Sequence, residues 1–427
     1  MNLTIEVTHP AHVMMSSDFS QQEPKISAFV SQDPTLIDAF THGRDAYATL
    51  ASIALGFPYE ECLEFHPVTH ELQPEGKARR STGKVLNLGV TYGMSVQSIS
   101  ESLFSTRDDM TDEQKLKEGQ RIQDSLMKGF PGLSKAIANA QASAAKLGYT
   151  ETILGRRRHH PNMQLPRYEF EPMDGYVNPD IDPLDPKSLE NKEQIPKRIV
   201  DALTKEFNSY KWYGKVVKRT KELAEEKIKV VNNSYKIEEA SRQVFNAIIQ
   251  GSAADLTKMA ILKLENDPEW QEIGGRFIVP IHDELLCEVP IENVEKGAEV
   301  LARCMCSAGD FLPFALTCDV EKTLRWYGLG YDDIVEREKP KSLDWDSMSI
   351  SNVEWVQCMI TENEYILPAF PEKDGSKPTG VRARGINGKV TDELKAHVED
   401  YMNRYGLTAD GEFLDHIEAK VIRGIYL

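Results

Sequence analysis

Two carboxylates stand at the ends of apolar runs that lie far apart in the chain. Residues 277–290 read FIVPIHDELLCEVP, and FIVPI and LLCEV have the character of two short strands of a buried sheet. Between them stand His282, Asp283 and Glu284. Adjacent carboxylates at the end of a core strand need compensation, because an unpaired buried carboxylate is costly or shifts its pKa. A basic partner, solvent at a hairpin tip, or a metal ion could supply it. Asp18 repeats the arrangement, with the run HVMM leading into a carboxylate. Two such strands side by side would offer a site for a hard divalent cation, since Mg²⁺ prefers one or two carboxylates plus phosphate oxygens and water. Either Asp alone is more often a turn or cap residue.

The segment RRSTGKVLNLGVTYG supplies complementary charge. As a helix it places Arg80, Lys84, Leu88 and Tyr92 at every fourth position and so on one face. Two cations, an apolar platform and an aromatic ring in that order suit a nucleoside triphosphate. Gly83, Gly89 and Gly93 weaken an ordinary helix but allow close approach of a ligand or template. The same residues also fit an amphipathic helix with a basic start, a poor place for cations given the helix dipole. A second four-residue ladder, Arg242, Asn246 and Gln250, runs into GSAAD and could read the minor-groove edges of a duplex.

Elements must position these groups over 427 residues, enough for two or three domains. No window of about 18 uninterrupted apolar residues marks a membrane span, and the amino terminus lacks the blocks of a signal peptide. The six cysteines form no CxxC pair, which speaks against a zinc site or disulfide framework and fits a reducing cytoplasm. The net charge of −17 argues against a uniformly basic nucleic-acid-binding surface. Basic residues are nevertheless clustered, in KARRSTGK, in GRRRHH and from Lys205 to Lys229; the last is read as a solvated helix face.

Along the chain, HVMMSSDFS reads as a strand and EPKISAFV as a helix; residues 33–147 are mainly helical, and GYTETILGRRR is a turn and strand pair. Residues 161–192, rich in proline and acids, read as an irregular or flexible insertion, followed by helices near 193–210 and 212–230. Helix resumes at Ile237, the 277–290 strand pair follows, NVEKGAEVLARCMCSAG is an amphipathic helix and FALTCDVEKTLRW a closing strand. Beyond about Pro340 the composition shifts and no motif stands out.

DFSQQEPK at 18–25, RSTGKVLNLGVTYG at 80–93, GYTETILGRRRHHP at 148–161, RQVFNAIIQGSAAD at 242–255 and IHDELLCEV at 281–289 resemble, in order, the motifs of family A DNA polymerases, the bacterial polymerase I type. The DFSQQEP variant resembles phage members, and the match covers most of residues 10–335. The resemblance implies an α+β fold: a right-hand palm with an antiparallel sheet, and mainly helical fingers. The expected boundaries are palm at 1–35 and 241–338, fingers at 36–240 with an insertion at about 162–236, and a C-terminal extension at 339–427. It implies DNA synthesis from dNTPs on a primer-template, with Asp18 and Asp283 holding two Mg²⁺ ions, replaceable by Mn²⁺, and Glu284 supporting them. Arg80 and Lys84 would hold the triphosphate, Lys84 also as proton donor to pyrophosphate. Leu88, Tyr92 and Gln21 would border the nucleotide or templating base, and Glu23 would block a ribose 2′-hydroxyl. Arg242, Asn246, Gln250 and His282 would contact the primer-template.

Several features depart from the family pattern. Leu88 stands where the family usually has Phe or Tyr, and Lys25 replaces Arg, losing the bidentate fork. Pro280 must sit where the sheet needs no donor. The 162–236 span is longer than the family leads one to expect. The chain starts just before the first motif, so thumb and exonuclease are expected to be absent and a second polypeptide to supply at least the thumb. The segment beyond 339 is either a docking module for replication proteins or a packing appendage. The expected setting is the cytoplasm of a phage host, without a membrane. Two other classes compete: a non-catalytic structural or regulatory relative, disfavoured by the intact Asp18, Asp283, Arg80, Lys84 and Tyr92, and a single-subunit RNA polymerase, disfavoured by Glu23 and the HDE triplet.

Overall fold

Of the apolar runs beside the carboxylates, HVMM and LLCEV become central strands of a sheet, while FIVPI, read as part of a buried sheet, is a half-exposed edge strand. In the computed structural model, residues 12–91, 95–181, 190–192, 194–324, 329–362, 386–408 and 410–421 are described. The fold is α+β. Its strands, among the described residues, are β1 (His12–Phe19), β2 (Tyr149–Glu151), β3 (Arg157–His159), β4 (Tyr168–Pro172), β5 (Ile228–Asn232), β6 (Arg276–Ile281), β7 (Glu284–Pro290) and β8 (Cys318–Thr323). The chain divides into two compact units: one takes described residues 12–22 and 253–421, the other Glu23–Ser252. The division falls early in the helix Gln22–Ser31 and within the helix Ser234–Glu265.

The first unit is built on an antiparallel sheet of order β6-β7-β1-β8. Strands covered on both faces read as continuous apolar runs. Val13, Met14 and Met15 of β1 and Leu285, Leu286 and Cys287 of β7 are accordingly all fully buried, while exposure alternates along β8. Pro280 lies on the edge strand β6, where a missing N–H can face solvent. The helix Val294–Ser307 packs on the sheet through Gly297, where a Cβ would come within 2.9 Å of Met15 and 3.1 Å of Val289.

The segment beyond 339 forms packed helices, Ile350–Glu362, Asp392–Tyr405 and Asp410–Val421. The buried Gln357 carboxamide ties two of its parts, accepting from Asn387 N and Gly388 N and donating to the Lys389 carbonyl. Lys339 bridges to Asp415 and Glu418, and Leu329 N donates to Glu362, so this segment packs into the first unit.

The second unit is mainly helical. Its organising group is Asp33, fully buried between two helix starts. One carboxylate oxygen accepts from Thr35 N and Leu36 N at the start of Pro34–Thr41, the other from Gly132 N and Leu133 N at the start of Pro131–Leu147. A negative group satisfies orphan N–H donors at both termini and complements both helix dipoles. Gly132 must be glycine, since a Cβ would stand 2.6 Å from the Asp33 Cα.

The 161–192 stretch is not wholly irregular. It contains β4, which pairs antiparallel with β5, and the second helix of this region stops at Glu225 rather than running on to 230. The proline and acidic composition conceals Tyr168 and Phe170, which pack with Leu203, Phe207, Val216, Leu223 and Ile228 in a small core. The partner strand lies some sixty residues away, so no local periodicity could reveal the pairing.

Replacing Asp33 by Ala should cost about 3 kcal/mol, the loss of two helix caps made through one charged, buried acceptor. Urea unfolding of the two proteins measures it; a loss below about 1 kcal/mol would contradict the double-cap assignment.

Candidate active site

The four-stranded sheet brings acidic residues from three parts of the chain to one end. Asp18 on β1 lies directly opposite Glu284 on β7 and, on its other side, opposite Asp319 on β8. Directly opposed residues of an antiparallel pair share a face, and like charges so placed repel. Asp283 occupies the two-residue turn between β6 and β7, where its carboxyl group can share a hydrogen bond with that of Asp18 when one of the two is protonated. The Asp18 pKa is accordingly pushed up from 3.8 to about 6, chiefly by loss of water around it, then by the charge and hydrogen bond of Asp283 and the charge of Glu284; the Phe19 N–H works the other way. Ser20 donates to Asp319 at 3.4 Å.

Both turns at this end carry a non-glycine residue at positive φ, Gln21 at 54° after β1 and His282 at 59° before Asp283. Such backbones cost of order 1 kcal/mol or more and persist where their surroundings fix them. In the hairpin only the first central residue is at positive φ, the pattern of a type II′ turn, whose twist matches the flanking strands. His282 is exposed, and Asp283, Glu284 and Gln21 are half-buried. Glu23, half-buried, opens the helix that follows β1.

The hard oxygen donors of Asp18 and Asp283 fit Mg²⁺ or Mn²⁺, and Glu284 adds negative potential. Among the described residues no group of three or more His, Cys, Asp or Glu side chains is arranged to hold a metal ion alone. A cation here would therefore complete its shell with water or substrate oxygens, as Mg²⁺ commonly does.

In the second unit, Arg80 and Lys84 lie on the helix Pro74–Thr91. Arg80 is not free: its Nε and Nη2 donate to one Asp45 oxygen at 3.0 and 2.8 Å, and its guanidinium stands 5.4 Å from the Tyr47 ring centroid. Asp45 also caps the helix Ala46–Leu55 through Ala48 N. Lys84 is exposed and makes no ion pair among the described residues. Tyr92 and the Leu88 side chain lie outside the described residues. The close approach that Gly83 permits is to protein, since a Cβ would stand 2.0 Å from the Tyr47 carbonyl oxygen.

Arg242, Asn246 and Gln250 share a face of the helix Ser234–Glu265. Asn246 donates to Gln250 at 3.1 Å, and its own Oδ1 is buried without a partner among the described residues. Arg242 is exposed. The β2–β3 loop docks on this helix: Arg156 donates to the Gly251 carbonyl at 2.9 Å and the Ile153 N–H to Ser252 Oγ at 3.0 Å. A Cβ on Gly251 would meet Thr152 at 2.7 Å. The small residues after the ladder thus accommodate a neighbouring loop.

The sequence did not single out Asp319, Asp45 or Arg156. Asp319 becomes conspicuous only through strand register, and Asp45 only through a contact across 35 positions. Arg156 could have been found from the paired glycine and serine at Gly251 and Ser252, small enough to receive a loop.

The sequence profile of DNA polymerase family A matches residues 4–173 and 194–328. The chain is 26% identical over 326 residues to "DNA polymerase I, thermostable" of Thermus aquaticus, covering 76% of this chain and 27% of that protein. It is 26% identical over 306 residues to DNA polymerase I of Rhizobium leguminosarum, covering 71% and 21%. The chain thus spans about a quarter of the length of these curated relatives. Among solved structures, the POL domain of Pol1 from M. smegmatis, in complex with DNA primer-template and dNTP, superposes with a TM-score of 0.51 at 22% identity, covering 75% of this chain and 41% of that one. This likeness shows the fold. No helix among the described residues is long and apolar enough to cross a membrane.

An acid whose pKa rises on folding favours the folded state below its ordinary value and loses that contribution as pH rises through the folded value. For Asp18 the window runs from 3.8 to about 6. Asp18→Asn should therefore raise stability at pH 7.5 without divalent cations by about 1 kcal/mol after discounting for solvent screening, and leave it unchanged near pH 4. Melting curves at both pH values test this; a variant less stable than wild type at pH 7.5 would contradict it.

Proposed function

This chain belongs to DNA polymerase family A, and on that premise we propose that it is a DNA-directed DNA polymerase, joining dNTPs to a primer 3′-hydroxyl on a template. The observation that carries the reading is the convergence of Asp18 and Asp283 at one end of the β6-β7-β1-β8 sheet. Two Mg²⁺ or Mn²⁺ ions, when bound, would supply Lewis acidity at the 3′-hydroxyl and charge stabilisation at the leaving pyrophosphate.

The chain's own residues take the remaining roles. Asp18 and Asp283 hold the cations and Glu284 keeps the site negative. Lys84, exposed on its helix, binds the triphosphate and gives a proton to pyrophosphate, while Asp45 holds Arg80 in place for the same phosphates. Gln21, Leu88 and Tyr92 border the nucleotide, and Glu23 excludes the ribose 2′-hydroxyl. Arg242 meets the primer-template backbone; Asn246 and Gln250, one already donating to the other, face base edges, and His282 lies near the primer end. In this reading residues 1–35 and 241–338 form the palm and 36–240 the fingers. The phage setting, cytoplasmic location, a second polypeptide carrying a thumb, and replication partners on the segment beyond 339 belong to the same proposal.

Primer extension with Mg²⁺ and four dNTPs, with and without native-host extract, tests it. Asp283→Ala should abolish extension under both conditions, and Lys84→Ala should slow it about 10²-fold, the scale of a lost general acid. Extension that survives Asp283→Ala would overturn the reading. Wild-type extension without extract would remove the need for a second polypeptide.

A further inference from the structure

We propose that the outer face of the helix Tyr213–Glu225, together with Trp212 at its entry, is a binding surface for single-stranded nucleic acid. The surface lies in the 162–236 region, away in sequence from every motif residue above. The proposal goes beyond the polymerase reading and does not rest on it.

The helix buries only Val216 and Leu223, against the small core of Tyr168, Leu203, Phe207 and Ile228. Its other side carries Lys215, Lys218 and Lys221 at steps of three, a single exposed stripe. Tyr213 and Val217, four apart, run alongside. Trp212 and Tyr213 are 68% and 69% exposed, so the local core does not account for them. The indole is nonetheless placed: a Cβ on Gly214 would stand 2.4 Å from the Trp212 ring, so the glycine makes room for it.

Charge favours a polyanion. Lys211, Lys215 and Lys221 make no ion pair among the described residues, and Lys218 reaches Glu222 only at 3.9 Å. The neighbouring carboxylates Glu206, Glu222 and Glu226 are gathered by Arg219, which leaves the stripe cationic until the exposed Glu225 ends it. This positive surface stands in a chain of net charge −17. From Lys215 to Lys221 the stripe runs about 9 Å along the axis, the length of two to three stacked nucleotides at about 3.4 Å each. Cations that follow a backbone beside aromatic rings that stack on unpaired bases are what single strands bind. A duplex offers the phosphates but no exposed base faces, and an acidic peptide offers the charge alone.

The test uses the full chain and fluorescein-labelled dT12, with fluorescence anisotropy at two salt concentrations. Lys215→Glu/Lys218→Glu should weaken binding about tenfold and reduce the salt slope by about 1.4, two contacts at about 0.7 each on a single strand. Trp212→Ala should weaken it about tenfold through lost stacking, and the part of the tryptophan emission that disappears in Trp212→Phe should be quenched by dT12. Unlabelled single strand should compete far better than duplex of equal length or poly-glutamate. Unchanged affinity in both variants, or equal competition by duplex or poly-glutamate, would overturn the inference. Trp212-dependent binding in a chain that does not extend primers would sustain this surface while the polymerase reading fails; extension with unchanged binding in the variants would do the reverse.

Discussion

Repulsion between carboxylates held in register is the constraint on which the rest depends. Asp18 sits between Glu284 and Asp319 on neighbouring strands, with the charge of Asp283 acting on it from the turn between β6 and β7. Opposed like charges destabilise a sheet, so something else must hold the strands in place. That is the apolar middle of β1 and β7, buried on both faces and covered by the helix that Gly297 admits. The raised pKa of Asp18 comes first from loss of water and then from the charges of Asp283 and Glu284, so that near neutral pH the site holds more negative charge than its surroundings favour, and a divalent cation would offset it. Affinity for a cation and instability without it would then be one property.

The second unit ties several of its polar side chains to distant parts of the chain. Arg80 is oriented by Asp45, a residue already committed to capping a helix, and the helix carrying Arg80 comes close to that neighbour through Gly83. Arg156 anchors a loop on the helix that carries the Arg242, Asn246 and Gln250 ladder. Asp33 joins two helix starts in the same unit through four backbone donors. Held by its tether, the long flexible side chain of Arg80 would lose little further freedom on meeting a ligand.

What could be read from the sequence follows from how local each cause is. The strands around Asp18 and Asp283 were legible because central strands are continuous apolar runs, and the long helix because its periodicity is sustained. The β4–β5 pairing was not legible, since its strands lie far apart and proline and acidic neighbours masked Tyr168 and Phe170. Asp319 lay in an ordinary edge strand and gained meaning only from register. Gly83 was read as room for a ligand, whereas the structure shows room for the Tyr47 carbonyl; a glycine in sequence tells of close approach without naming what approaches.

The central claim is that Asp18 and Asp283 act together as a cation site. The most direct measurement is electron paramagnetic resonance of Mn²⁺ bound to the chain with primer-template and a non-hydrolysable dNTP, comparing wild type with Asp18→Asn/Asp283→Asn. The account predicts protein-dependent Mn²⁺ binding in the wild type that the double variant loses. Equal binding in the two proteins would contradict it.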